Sequence, residues 1–471
     1  MNKHIAQAFL RLAIPAALFL VLTAAGAGAA IDGVSGPTFH LSVSTGTLST
    51  PDGGSFLLWG YANDGGLAQY PGPTLIVNQG DTVRITLTNN LTVAGGGPAP
   101  NVSMVFPGHR VFADPADPGV KGAITNEAIP GGTVTYEFTA THPGTYSYYS
   151  GTDTALQVEM GLLGALIVRP EAGAGYAYNH PDTRFDREYL FLLSEMDPRI
   201  HQVVEMQGPA GLAATNYLAD YFPVLWFLNG RSMPDNMMEP GIPLLPHQPY
   251  NSFPRMHPGE KLLMRVVGAS RDSHPFHHHG NHAMVIARDG RMLESAPGAG
   301  PDLSFQTFTI QSTPGSTFDG IFTWSGKGLN WDVYGTPDAG TQYFHNCVDG
   351  DGDDFDDTTS EYCPDHYAPC TDADFDQRDD ETGERCKNGY TKTIPVILPN
   401  QADLVFGAWY SGSPYLGTLG SLPPGEGGLN PNGGFSFMWH SHTEKELTTN
   451  DIFPGGMMTM LIIEPHGVDI P

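Results

Sequence analysis

Apolar runs long enough to cross a bilayer are missing from this 471-residue sequence. A span needs about 20 predominantly apolar residues, and the longest candidate, Leu12 to Leu22, falls well short of that. It follows the positive charges of Lys3 and Arg11. It precedes the small residues Thr23 to Ala30, with Ala27-Gly28-Ala29 as a cleavage signal. Residues 1–30 therefore read as a signal peptide, and the mature chain is expected in the periplasm or outside the cell, with no membrane span. Basic residues are also scarce: 22 Lys and Arg stand against 50 Asp and Glu, a net charge of −28. That balance argues against nucleic acid or an anionic membrane surface as a partner, because both are held by cationic side chains. Sustained helical periodicity is rare, whereas 58 glycines and 40 prolines punctuate the chain. Short strands joined by turns are the expected outcome.

Cysteine is nearly absent. The four that occur (Cys347, Cys363, Cys370 and Cys386) fall in one segment carrying fifteen acidic residues against two basic ones, Arg378 and Arg385. No other part of the chain offers a thiolate. Inside the segment the spacing repeats, with Cys347 to Cys370 and Cys363 to Cys386 each 23 residues apart. At the same offset Asp349, Asp351, Asp353 and Glu361 map onto Asp372, Asp374, Asp376 and Glu384. Alternating aspartates with a later glutamate wrap a hard cation in carboxylate oxygens, so calcium is an expected cofactor. The pattern resembles the Asp-rich loops of EF-hand and thrombospondin type-3 repeats. It departs from a strict EF-hand, since position 6 is Asp354 or Gln377 and the glutamate falls at position 13. In an exported chain the four cysteines are expected to form two disulfides, with three pairings open.

Strand signals fill the remainder. Gly80 to Leu91 alternates Val83, Ile85 and Leu87 with Arg84, Thr86 and Thr88, and Thr133 to Thr139 alternates in the same way. Gly161 to Val168 is continuously apolar, as a strand buried on both faces would be. A Pro/Gly/Ala-rich break near Arg169–Tyr176 precedes a second set at Glu188–Leu193, Lys261–Val267 and Met457–Ile463. The expected fold class is all-β. Two β-sandwich or Greek-key barrel domains cover 31–170 and 171–471, with the acidic segment, 340–393, inserted in the second.

Two stretches concentrate histidine. One is His274-Pro275-Phe276-His277-His278-His279-Gly280-Asn281-His282. The other is Trp439-His440-Ser441-His442, followed by Pro454-Gly455-Gly456-Met457-Met458. On a strand, His-x-His places both imidazoles on one face, and two such pairs on neighbouring strands converge on one metal. Neutral imidazole suits copper, zinc, iron or nickel. By the same alternation His278 faces outward. His40, His109, His142, His180, His201, His247 and His257 are scattered and read as ordinary structural histidines.

These residues resemble the multicopper oxidases, chained cupredoxin domains that oxidise substrates at a type 1 copper and reduce dioxygen at a trinuclear cluster. The third copper motif of that family, His-Pro-x-His-x-His-Gly, is matched by His274 to Gly280. The fourth, His-Cys-His with a downstream methionine, is matched in outline by His440-Ser441-His442 and Met457. Tyr70-Pro71-Gly72-Pro73-Thr74-Leu75 with Gly80-Asp81-Thr82-Val83 is similar to the first-domain signature. Pro143-Gly144-Thr145-Tyr146 leading to Gly161-Leu162-Leu163-Gly164-Ala165-Leu166 is similar to the end of that domain. Arg265-Val266-Val267 runs directly into the third motif, which implies a two-domain member without the usual middle domain. The resemblance thus implies two cupredoxin-like domains, a copper cofactor and a small-molecule or metal-ion reductant. It also implies a homotrimer with the cluster between subunits, where Tyr149 and Met104 of a neighbour line the site.

The sequence departs from the family at the motifs themselves. Val105-Phe106-Pro107-Gly108 and Tyr148-Tyr149-Ser150-Gly151 stand where the first two motifs carry histidines. Ser441 stands in place of the type 1 cysteine, and Glu446 in place of the later type 1 histidine. A blue copper site needs a thiolate, so no ordinary type 1 copper is expected. The resemblance leaves His277, His279, His440 and His442 as a remnant of the cluster, and His274, Glu446 and Met457 as a possible second metal site. The expectation is an exported copper-binding protein that is at most an atypical oxidoreductase. The alternative is a non-catalytic copper-binding or structural, adhesive cupredoxin protein stabilised by calcium.

Overall fold

The computed structural model describes residues 31–93, 97–114, 119–324, 350–352, 412–414, 435–464 and 469–470. The expected signal peptide, the four cysteines and every proposed calcium ligand except Asp351 lie outside the described residues. Among the described residues no helix is long and apolar enough to cross a membrane.

The chain is mostly β, and among the described residues no sheet mixes strands from the two halves. The first half forms a four-stranded sheet from Val34–Ser35, Leu75–Asn78, Leu163–Arg169 and Gly144–Tyr149. It faces a five-stranded sheet built on Ser55–Asn63, Thr38–Ser49, Thr82–Asn89, Thr133–Thr139 and Phe112–Ala113. The alternation read in the sequence holds there: Val83, Ile85 and Leu87 are buried, while Thr82 and Arg84 are exposed. Leu163–Arg169 is buried almost throughout, as its continuous apolar run requires.

The second half repeats the scheme. A seven-stranded sheet runs through Leu225–Leu228, Arg187–Met196, Lys261–Gly268, Thr317–Thr323 and Ala283–Arg288. A six-stranded sheet contains Met458–Ile463, Phe435–Ser441, His274–His278 and Thr309–Ser312 side by side.

The two halves share their apolar cores. Leu48, Leu58, Tyr70, Leu163 and Ala165 from the first half pack with Phe191, Phe227, Phe276 and Trp439 from the second. In the other direction the helix Pro198–Gln207 lays Ile200, Val203 and Val204 into the first-half core. That helix starts cleanly because the Asp197 carboxylate accepts the Arg199 N–H at 3.0 Å and proline occupies its first turn. Tyr70 seals the joint, its hydroxyl 2.7 Å from Ser194 Oγ.

Candidate metal centre

The centre is built by strand register. His277 lies directly opposite His440 across the antiparallel pair His274–His278 and Phe435–Ser441. His279 follows His277 by two residues, so its ring shares that face. Trp439 Nε1–H donates to the His279 carbonyl at 3.1 Å, which fixes the chain as it leaves the strand. Gly280 follows at φ +100°, where a Cβ would meet the Phe437 ring at 3.0 Å. Glycine is needed at that corner.

His277, His279 and His440 each present a ring nitrogen within 4.8 Å of the others, and all three are buried. The outer nitrogens of His277 and His440 are oriented by partners. His277 Nδ1 is 2.8 Å from Thr309 Oγ1, and His440 Nδ1–H donates to the Ser441 carbonyl at 2.6 Å. With its Nδ1 proton committed, His440 directs the Nε2 lone pair at His279 Nε2, 3.3 Å away. That spacing fits two nitrogens of one tetrahedral ion, whose edge is roughly 3.3 Å when metal–nitrogen bonds are about 2.0 Å. Burial, followed by the charges of His440 and His442, lowers the His277 pKa to about 4. Burial likewise lowers His440. These rings are therefore neutral at pH 7, the state that coordinates a metal.

His442 stands apart. Its ring centroid is 4.9 Å from that of His277, yet its side chain is half exposed and Nδ1 turns to Glu444 at 3.2 Å. Three of the four histidines named from sequence thus form a compact cluster, and the fourth sits on its rim. His278 corrects the sequence reading: it points to the opposite face, as alternation requires, but that face is the domain interior. Its Nε2 lies 3.0 Å from both the Thr307 carbonyl and the Ala283 amide, and burial lowers its pKa to about 3. His282 remains exposed beside Phe308.

The residues named for a second metal site also meet. His274 Nδ1 is 2.8 Å from Glu446 Oε2, and the Met457 amide donates to the Glu446 carbonyl at 2.8 Å. A residue that sequence reasoning missed completes the contact: His274 Nε2 is 2.9 Å from Glu195 Oε2. Burial opposes charge on His274, but hydrogen bonds to Glu195 and Glu446 outweigh it and raise its pKa to about 9. The available signal was a carboxylate, one of two with Glu188, in the largely apolar strand Arg187–Met196. Thr309, the His277 partner, carried none.

The first-half motif positions come together too, but as packing. Val105 bridges Tyr149, and the Phe106 ring lies 6.0 Å from that of Tyr148. Met104 is wholly buried in the first-half core and so cannot line a subunit face. The scattered histidines stay apart from the cluster; His201, for example, is buried with Nδ1 2.6 Å from the Leu57 carbonyl.

Residues 58–173 match the sequence profile of the multicopper oxidase family. An L-ascorbate oxidase from Brassica rapa subsp. pekinensis is 33% identical over 127 residues, covering 27% of this chain and 20% of that protein. A dihydrogeodin oxidase from Aspergillus terreus is 38% identical over 130 residues, 28% of this chain and 19% of that one. The chain spans about a fifth of the length of these relatives. In fold, the blue copper oxidase of Nitrosomonas europaea covers 90% of this chain and 85% of its own, with a TM-score of 0.50 at 17% identity. The multicopper oxidase mgLAC covers 92% and 87% at the same score and identity. Residues 58–173 therefore carry a multicopper oxidase domain, and the chain as a whole has the fold of the multicopper oxidases.

Proposed function

We propose that the chain is an exported copper-binding protein in which His277, His279 and His440 hold one copper ion. The observation that carries this reading is the convergence of three buried ring nitrogens within 4.8 Å, at least two of them with the opposite nitrogen already occupied. The family implies copper, and three imidazoles with a vacant coordination position suit a copper ion that binds a small ligand. Bound copper supplies one-electron redox chemistry. The chain's own residues orient the His277 and His440 rings, and burial keeps those two neutral.

Four-electron oxidase chemistry of the family kind is not expected. No thiolate stands at the type 1 position, where Ser441 lies, and Val105 and Tyr149 replace ligands in the first half. The protein is therefore at most an atypical oxidoreductase, exchanging electrons with a small molecule or metal ion at the exposed rim near His442. A non-catalytic copper carrier is the second reading, favoured by the same missing thiolate.

Two further expectations belong here. The acidic repeat around Asp351 binds calcium, seen as a calcium-dependent rise in Tm. The chain assembles as a homotrimer that brings the cluster against a neighbouring first half, and a monomer in sedimentation contradicts that. For copper itself, the purified chain is loaded, desalted and weighed for metal beside His279→Ala/His440→Ala. About one copper per chain in wild type and none in the double variant supports the reading. Equal retention in both overturns it.

A further inference from the structure

The contact between Glu195, His274 and Glu446 lies outside the three-histidine centre and takes no part in it. We propose that these three side chains form an ion triad that stands at the type 1 position in place of a metal and fastens three separate elements of the second domain.

The geometry argues this in three steps. Both ring nitrogens of His274 already face a carboxylate oxygen, at 2.9 Å from Glu195 and 2.8 Å from Glu446. An imidazole that donates from both nitrogens keeps no lone pair for coordination. The donor count on the Nδ1 side is also too small. Glu446 is there, but the Met457 side chain is wholly buried in the apolar core, and Ser441 Oγ accepts the Thr443 N–H at 3.2 Å. A copper ion left with one imidazole and one carboxylate lacks the third strong ligand such centres require.

Finally, Glu195 is held in place independently of any metal. Its Oε1 accepts the Arg271 N–H at 2.8 Å and the Asp272 N–H at 3.0 Å, and the Tyr221 hydroxyl lies 3.3 Å away. The side chains of Glu195 and His274 are 0% exposed and that of Glu446 is 7% exposed. Two carboxylates so deeply buried against one ring are stable only with positive charge between them, and the imidazolium supplies it. The triad ties the strand Arg187–Met196 to His274–His278 and to the turn Glu444–Leu447. It is a crosslink across 79 and 172 residues of sequence.

The inference is independent of copper binding at the three-histidine centre, because it concerns different residues and different readouts. The test is nitrogen NMR of the full chain with 15N-labelled histidine, titrated anaerobically with copper(I). His274→Gln identifies the His274 signals, and Glu446→Gln does so if that variant fails to fold. The expected result is two protonated ring nitrogens on His274 at pH 7 that do not move at saturating copper(I). In parallel, His274→Gln, or Glu446→Gln in its place, retains the wild-type copper stoichiometry while its Tm falls by about 5 °C or more. Movement of the His274 signals with copper(I) overturns the proposal. So does the loss of one copper equivalent in either variant when His279→Ala still retains one.

Discussion

His274 and His277 stand three residues apart on one strand and meet opposite surroundings. His277 faces two other imidazoles, with a threonine hydroxyl behind it. His274 faces a carboxylate at each nitrogen. Burial disfavours the imidazolium at both, and the neighbours decide the outcome: the imidazoles His440 and His442 add to the depression of His277, whereas carboxylates carry His274 to about 9. Residue type therefore does not define a metal site. What surrounds the second nitrogen does, because one partner orients a lone pair and two partners remove it.

This contrast is open to attack at several points. The largest effect is expected at the cluster, where removing two of three ligands by His279→Ala/His440→Ala weakens copper affinity by more than ~100-fold, read by competition with a chelator of known affinity. Next comes Glu195→Ala, which leaves His274 with half its compensation. It is expected to cost about 3–5 kcal/mol in denaturant unfolding at pH 7 while copper binding stays intact. Equal stability there would show that the triad contributes no crosslink. Thr309→Val removes only the orienting hydroxyl behind His277, so affinity falls ~10-fold, and Thr309→Ser restores it.

The pH dependence separates the regions more gently. Because the folded-state pKa of His274 is raised from about 6.5 to about 9, its stabilisation is complete below pH ~6.5 and fades as pH climbs through 9. Comparing the slope of unfolding free energy between pH 7 and 9.5 in wild type and His274→Gln isolates that part, and identical slopes contradict it. The smallest effect belongs to His442→Ala. Half exposed and turned toward Glu444, this residue is expected to shift affinity by less than the ~10-fold of an orienting partner.

Much of the fold was legible because strand alternation is a local signal. Val83, Ile85 and Leu87 show their burial in three alternate letters, and Thr133–Thr139 begins and ends where its pattern does. The convergence of His277 with His440 was also legible, since paired His-x-His repeats on adjacent strands leave few other geometries. What alternation does not give is which face is interior, and so His278 was placed outside when it lies within. Distance in sequence hid the rest. Glu195 is 79 residues from His274, and nothing near it in the chain announces an imidazole partner. Thr309 is an ordinary strand threonine until the register sets it opposite His277. The sharing of cores between halves was hidden too, because the helix Pro198–Gln207 looks like part of the second half by position alone.

The most direct measurement is anomalous diffraction at the copper edge from crystals of the full chain soaked with copper(II). The account predicts one strong peak bounded by the ring nitrogens of His277, His279 and His440, and none beside His274. A peak between His274 and Glu446, or an empty three-histidine cluster, would contradict it.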